Sequence, residues 1–340
     1  MKAIVLRGPN DFCLEEVKEP IPTAEEVKIR VLLAGICGTD LTLLRGKYPA
    51  APYPMVPGHE TMGEILQAAE DSQFKPGDRV TVFPAFGCRK CDACKTGRIA
   101  HCPEAKTIGV LRPEGYFAEQ IVAHQDRVFH LPEQMHNEMG AMVEPAAVAV
   151  HANHRGQVQQ GARVVVIGGG TIGLLTAQVA LAYGASAVIV SEPIAERRAI
   201  AKQVGIELTC NPLETDLVCF VRKKMKMADV VFDVVGSEKT LADAMEMLRP
   251  DGHLVLVAVP HSDTLSIAYR PAFTKELKVI GARTYFLEDF PESIRLLHSG
   301  RVQVKQMVGK ILPLSLLAEG VELLEKHPED YVKILLNPLM

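Results

Sequence analysis

Apolar residues fall along this chain in two rhythms, and the change of rhythm divides it. In the first part, Met1–Arg7 and Val27–Ala34 run apolar or alternate with polar residues, as strands do. Pro20, Pro22, Pro49, Pro52, Pro54, Pro57 and Pro76 break the stretches between them, which predicts a β-rich, barrel-like domain with long loops. From about residue 148 strands alternate with helices. Strands are expected at Val164–Ile167, Ala187–Ser191, Asp229–Val235, His253–Val259 and Leu277–Gly281, and helices at Leu174–Tyr183, Ile194–Val204 and Glu238–Leu248. That alternation predicts a parallel, doubly wound sheet. After about residue 284, Phe290–Ser299 and Leu314–Lys326 look helical, and Val332–Leu336 reads as a strand that rejoins the first domain. The fold class expected is therefore α/β in two domains. One is built from 1–147 and 284–340, the other from 148–283.

The sharpest local signal heads the second domain, where Val164 to Gly173 reads VVVIGGGTIG. Gly168, Gly170 and Gly173 fit G-x-G-x-x-G between an apolar strand and a helix, a context that makes the pattern specific. Glycines there allow a tight turn, close approach to a pyrophosphate and close packing of helix on sheet, while the helix N-terminus offers free N–H groups. Gly168, Gly170, Thr171, Ile172 and Gly173 are thus the expected dinucleotide-binding turn. Glu192 ends the next strand nineteen residues after Gly173, where an acidic side chain takes the ribose hydroxyls and favours NAD over NADP. Arg197 and Arg198 follow, and turned inwards they would soften that preference. The bland alternative is a strand–turn–helix that binds no nucleotide.

Composition narrows the class. A chain of 340 residues has room for two domains, and 48% hydrophobic residues support real cores. The formal charge of −4 gives no reason to expect nucleic acid or an anionic membrane as partner. No apolar run reaches transmembrane length, and MKAIVLRGPN lacks the apolar core of a signal peptide. Eight cysteines in a chain that reads as cytoplasmic then point to metal or catalysis rather than disulfides.

Two constellations carry that chemistry. Cys88, Cys91 and Cys94 are spaced C-x-x-C-x-x-C and Cys102 follows, in a lobe of about 87–103. Four thiolates so placed suit a closed, structural zinc site, with an iron–sulfur cluster or four unrelated thiols as alternatives. The second set is dispersed: Cys37 in GICGTD, His59 and Glu60 in VPGHE, and Glu144 in VEPAAV. A catalytic zinc takes three such ligands and keeps one open position. Taken singly, Cys37 reads as a core thiol and His59 as a loop histidine.

Read together, GICGTD, PGHE, the four-cysteine lobe, GYFAEQ, the Glu-Pro at 144–145 and the GGGTIG turn resemble the zinc-dependent medium-chain dehydrogenases. They are most similar to the sorbitol and polyol branch, with threonine and sugar-acid dehydrogenases close by. The resemblance implies a GroES-like catalytic domain in two segments, a Rossmann cofactor domain, two Zn2+ per chain and NAD. It implies Cys37 and His59 as catalytic zinc ligands, with Glu60 and Glu144 competing for the third place. By the same resemblance Thr39 passes the proton outward, although Thr42 stands where the family often has a histidine. Arg283 matches an arginine near the zinc carboxylate, Phe117 is either a pocket wall or a core aromatic, and Tyr48 offers a hydroxyl to a polyol. The expected activity is hydride transfer between NAD and a secondary hydroxyl of a polyol, sugar acid or sugar phosphate. L-Threonine or a simple alcohol is the alternative substrate, and a non-catalytic nicotinamide-binding protein the alternative of another class. An acidic substrate would need a cation, for which Arg283, Lys47 and Arg45 are candidates. A homodimer or homotetramer is expected through the cofactor domain, with the apolar strand His253–Val259 as an exposed sheet edge.

Overall fold

The strand Glu26–Gly35 buries Val27, Ile29 and Val31 at alternate positions, the period-2 placement expected of a strand with one face on a core. In a computed structural model, which describes residues 1–259 and 264–340, this strand is the hub of a seven-stranded sheet. It pairs antiparallel with Glu60–Gln67, Gln120–His124 and Lys333–Asn337. Val308–Pro313 lies outside the last of these, and Arg79–Val82 and Val128–His130 continue the sheet beyond Glu60–Gln67. Ile4, Leu6, Ile65, Val80, Ile121, Ile334 and Leu336 fill the core beneath. In the register, Gly35 faces Glu60 on one side and Leu335 on the other, which brings three distant parts of the sequence to one end of the hub strand.

This sheet belongs to a first unit of Met1–Glu144, Phe286–His298 and Met307–Met340; Pro145–Tyr285 and Ser299–Gln306 form a second. The sequence places all of 284–340 in the first domain and misses the return at Ser299–Gln306. Hydrogen bonds account for it. The Gln303 N–H donates to the Gln178 side chain at 2.7 Å, the Gln178 amide donates back to the Gln303 carbonyl at 3.1 Å, and Arg301 donates to the Ala182 carbonyl.

The second unit holds a six-stranded, all-parallel sheet in the order Leu208–Cys210, Ala187–Ser191, Arg163–Ile167, Ala228–Asp233, Leu248–Leu256, Lys278–Gly281. In chain order this is 3-2-1-4-5-6, the doubly wound arrangement with its switch point beside Arg163–Ile167. Four elements escape the sequence reading: the helix Val143–Gly156, the strand Leu208–Cys210, the helix Leu217–Met225 and the short helix Tyr269–Thr274. A three-residue strand is too short to show a period. One expectation is corrected outright. The strand expected at His253–Val259 runs from Leu248 to Leu256 and lies inside the sheet; its continuous apolar run reflects burial on both faces, and the edge is Lys278–Gly281. Among the described residues no helix is long and apolar enough to cross a membrane.

Candidate active site and cofactor turn

At the end of the hub strand the chain turns into the short helix Gly38–Leu44, with Cys37 as its N-cap. Asp40 sits at the third helical position, fully buried, and its Oδ2 accepts the Cys37 N–H at 2.8 Å. This half of a capping box fixes the Cys37 backbone. The other oxygen, Oδ1, lies 3.5 Å from Nδ1 of His59, in an ion-pair contact that falls short of a hydrogen bond. His59 and Glu60 lead into the neighbouring strand and are both buried. One ligand atom each from Cys37, His59 and Glu60 lie within 4.8 Å of one another.

The electrostatics of this cluster are strongly perturbed. Burial disfavours charge on the His59 imidazole, but Asp40 and Cys37 outweigh it and hold the ring well above the usual histidine range. Glu60 is paired with Lys333, whose Nζ also donates to the Ile36 carbonyl at 2.9 Å. Both members of that pair are almost wholly removed from solvent. Burial pulls the Lys333 ammonium down, and Glu60, Cys37 and Glu144 together raise it above the ordinary lysine value. The pair passes directly over Gly35. A Cβ at that position would run into Glu60 Oε2 and come within 3.0 Å of Lys333 Cε.

A thiol, an imidazole and a carboxylate at this separation are the donor set of Zn2+, and the thiol argues against Mg2+ or Ca2+. The facing Asp40 and His59 atoms fit that assignment. With a cation on Nε2, Nδ1 is fixed as the donor towards Asp40, the carboxylate–histidine–metal arrangement. Glu144 is buried in the first turn of the helix Val143–Gly156, outside the three-residue cluster but near enough that its charge acts on Lys333 and on the buried Tyr116 hydroxyl.

The remaining candidates divide. Thr39 is half-buried in the first turn after Cys37, whereas the Thr42 hydroxyl donates to the Gly38 carbonyl of its own helix. Phe117 is fully buried with its ring against Gly58, so it is a core aromatic and not an open pocket wall. Tyr48 packs against the core of the first unit. Arg45 is engaged by Glu325 and Asn10, which removes it as a free cation for an acidic substrate, while Lys47 is exposed. Arg283 is exposed in the second unit, just past the edge strand. Asp40 and Lys333 went unmarked in the sequence.

In the lobe, one sulfur each from Cys88, Cys91, Cys94 and Cys102 lie within 4.8 Å of one another, and all eight cysteines are free thiols. The backbone comes close: a Cβ on Gly87 would stand 2.5 Å from Cys94 Sγ. N–H groups of Lys90 and Cys91 turned towards Cys88 help bring its thiol down to about 6, within reach of the thiolate a metal requires.

The glycine turn in the second unit is shaped for an anion. Gly168 has φ of +102°, which an L side chain rarely adopts, and a Cβ on Gly173 would collide with the Gly168 carbonyl. The helix Thr171–Ala182 starts at Gly170 with no side-chain cap, so its first N–H groups have no capping acceptor from that residue. A Cβ on Gly170 would meet nothing closer than Arg197 Nη1 at 3.9 Å, so this face of the turn is open to approach. Glu192 is buried at the end of its strand; its oxygens accept the N–H groups of Gly169 at 2.7 Å and Ile194 at 2.9 Å. Arg198 is turned back onto the carbonyls of Glu192 and Pro193, so of the two arginines Arg197 is the one beside the turn.

Comparison with known proteins decides the family. Residues 23–133 match the alcohol dehydrogenase GroES-like domain, and residues 171–299 match the zinc-binding dehydrogenase domain. The chain belongs to the zinc-binding dehydrogenases. Among curated members of that family it is 33% identical to the 2-dehydro-3-deoxy-L-galactonate 5-dehydrogenase of Pseudoalteromonas atlantica, over 95% of this chain and 94% of that one. It is 30% identical to the sorbitol dehydrogenase of Bacillus subtilis, over 99% and 97%. A solved structure, described as a short chain alcohol dehydrogenase from Escherichia coli CFT073 complexed with cofactor NADH, superposes with a TM-score of 0.92 at 29% identity, covering 99% of each chain.

Proposed function

We propose that this protein is an NAD-dependent zinc dehydrogenase that oxidises a secondary hydroxyl of a polyol, sugar acid or sugar phosphate. The observation that carries the proposal is the Cys37–His59–Glu60 cluster, half-buried at Cys37 and buried at His59 and Glu60, whose ligand atoms lie within 4.8 Å of one another. The relatives named above, a sugar-acid and a polyol dehydrogenase, supply the substrate class. The first unit is taken as catalytic and the second as cofactor-binding. Cys37 and His59 are assigned as ligands with Glu60 as the adjacent carboxylate, and Glu144 is kept as the second carboxylate near the substrate. Cys88, Cys91, Cys94 and Cys102 hold the structural ion.

When bound, the metal supplies a Lewis acid for the substrate oxygen and the nicotinamide accepts hydride. The residues supply the rest. Asp40 orients His59 and Cys37; burial of the cluster keeps water from competing with the substrate oxygen; Thr39, half-buried after Cys37, takes the released proton towards solvent. With Thr42 tied to Gly38, the proton's path beyond Thr39 runs through water or a ribose hydroxyl. Arg283, exposed beyond the sheet edge, is assigned to the substrate. Gly168, Gly170, Thr171, Ile172 and Gly173 bind the pyrophosphate, Glu192 binds the adenosine ribose and selects NAD, and Arg197 lies beside the turn.

We assign a homodimer or homotetramer through the cofactor unit, with the edge strand Lys278–Gly281 and its half-exposed Val279 in place of the strand first expected. The free cysteines fit a reducing compartment such as the cytoplasm. Initial rates of NADH and NADPH appearance over polyols, aldonic acids, sugar phosphates, L-threonine and simple alcohols test the whole proposal. Turnover of a polyol or sugar compound with NAD, abolished by a chelator and restored by Zn2+, is the expected result. Turnover confined to threonine or a simple alcohol overturns the substrate, and no turnover by the zinc-loaded protein points to a nicotinamide-binding protein.

A further inference from the structure

A lysine sealed inside an apolar strand needs a reason. Lys333 interrupts the run Val332–Leu336, lies about 2% exposed, and places its charge on Glu60 rather than in water. Burying a cation this completely is costly unless its partners repay the lost hydration. Here the partners are two, Glu60 Oε2 and the Ile36 carbonyl, one residue before Cys37. The backbone is built around the pair: Gly35 leaves the hollow that Glu60 and Lys333 cross, and the register Leu335 to Gly35 to Glu60 fixes the strands that carry them.

We propose that Lys333 is a positioning residue for the metal site: by holding Oε2 of Glu60 it leaves Oε1 as a single donor and keeps the fourth metal position open for the substrate hydroxyl. The inference rests on the assignment of Cys37, His59 and Glu60 as ligands. The charge balance supports it. Cys37 and Glu60 are the donors of the cluster that can carry negative charge, and the Lys333 ammonium is paired with the second of them. Without the ammonium, both oxygens of Glu60 are free to chelate, and the position that the substrate needs is filled by the protein itself. A carboxylate ligand held through its second oxygen is the general way an outer partner sets ligand geometry.

The test is metal binding rather than turnover. Wild type, Lys333→Gln and Lys333→Arg are loaded with Zn2+, dialysed against graded chelator and assayed for metal per chain; the same chains loaded with Co2+ are followed by visible absorption, which reports coordination number. The expectation is two ions in the wild type. Lys333→Gln holds the four-cysteine ion, holds the other at least as tightly because both Glu60 oxygens can now chelate and the neighbouring positive charge is gone, and shifts its cobalt bands towards higher coordination; Lys333→Arg restores the wild-type spectrum. Retention of the four-cysteine ion and an unchanged circular dichroism spectrum show that the variant is folded. If Lys333→Gln does not fold, Gly35→Ala is read in the same way, since it pushes on the flexible end of Glu60 and leaves every charge in place. A Lys333→Gln variant that binds the second ion with the wild-type spectrum overturns the role of Lys333 alone. A wild type that takes up only the four-cysteine ion overturns the catalytic metal assignment and this inference with it.

Discussion

Glu192 does two things at once, and a substitution separates them. Its carboxylate accepts two backbone N–H groups of the turn region, so it shapes the loop in addition to the ribose contact proposed for it. Glu192→Ala is expected to shift the NADP-to-NAD ratio of kcat/KM by about tenfold or more, the worth of a charge-assisted hydrogen bond. Initial-rate measurements with both cofactors check this, and an unchanged ratio removes Glu192 from cofactor selection. Gly173→Ala is expected to weaken both cofactors alike, because the added methyl strikes the Gly168 carbonyl, and fluorescence titration with NADH reads the loss. At this scale the sequence was legible wherever a residue belongs to a local pattern. The turn glycines announced themselves by spacing, whereas Cys37, His59 and Glu60 were marked only by the resemblance of the motifs that hold them. Asp40 left a weak trace as an acid three residues after an N-cap, but Lys333 left none. A single lysine in VKILL looks like a solvent-facing strand residue until the strand's neighbours are known.

Among the elements, the central strands of the parallel sheet meet a shared anchor. Asp229 accepts from Arg163 at 2.9 Å and from Arg249, and although burial opposes its charge these bonds hold its carboxyl well below the usual range. A carboxyl whose folded pKa is depressed adds stability above its unfolded value, near 3.8, and that contribution fades as pH falls through the folded value. Asp229→Asn is therefore expected to cost about 1–2 kcal/mol at pH 7, allowing for partial exposure. Urea unfolding should show the gap between variant and wild type narrowing below about pH 4. In the lobe, Cys88→Ser is expected to lose one zinc per chain and lower the Tm while leaving the other ion bound, as metal analysis and thermal melts will show. Alternation of strands and helices made most of the parallel sheet legible beforehand. The misplaced edge shows what periodicity omits: an apolar run says that a strand is covered on both faces, not which strand is last in the row.

For the whole molecule, the chain passes between its two units four times, at 144/145, 285/286, 298/299 and 306/307. Composition and rhythm revealed the first two of these passages within a few residues. The later two depend on tertiary hydrogen bonds from Gln303 and Arg301, which leave no mark on local sequence. Assembly is tested at this scale. Val279→Asp, on the edge of the parallel sheet, is expected to halve the mass seen by light scattering, and an unchanged mass removes that edge from the subunit contact.

The strand that carries Lys333 has a consequence for the life history of the protein. During synthesis the thiol, imidazole and carboxylate of the cluster emerge well before their ammonium, which follows 297 positions after Ile36. Until then the end of the hub strand lacks its Lys333–Asn337 neighbour and Glu60 lacks its counter-charge, so the centre waits for that strand. A chain that stops before the strand Lys333–Asn337 displays the donors but never the finished centre. Synthesis through that strand thereby becomes a condition for competence, enforced by the order of the strands rather than by any separate check.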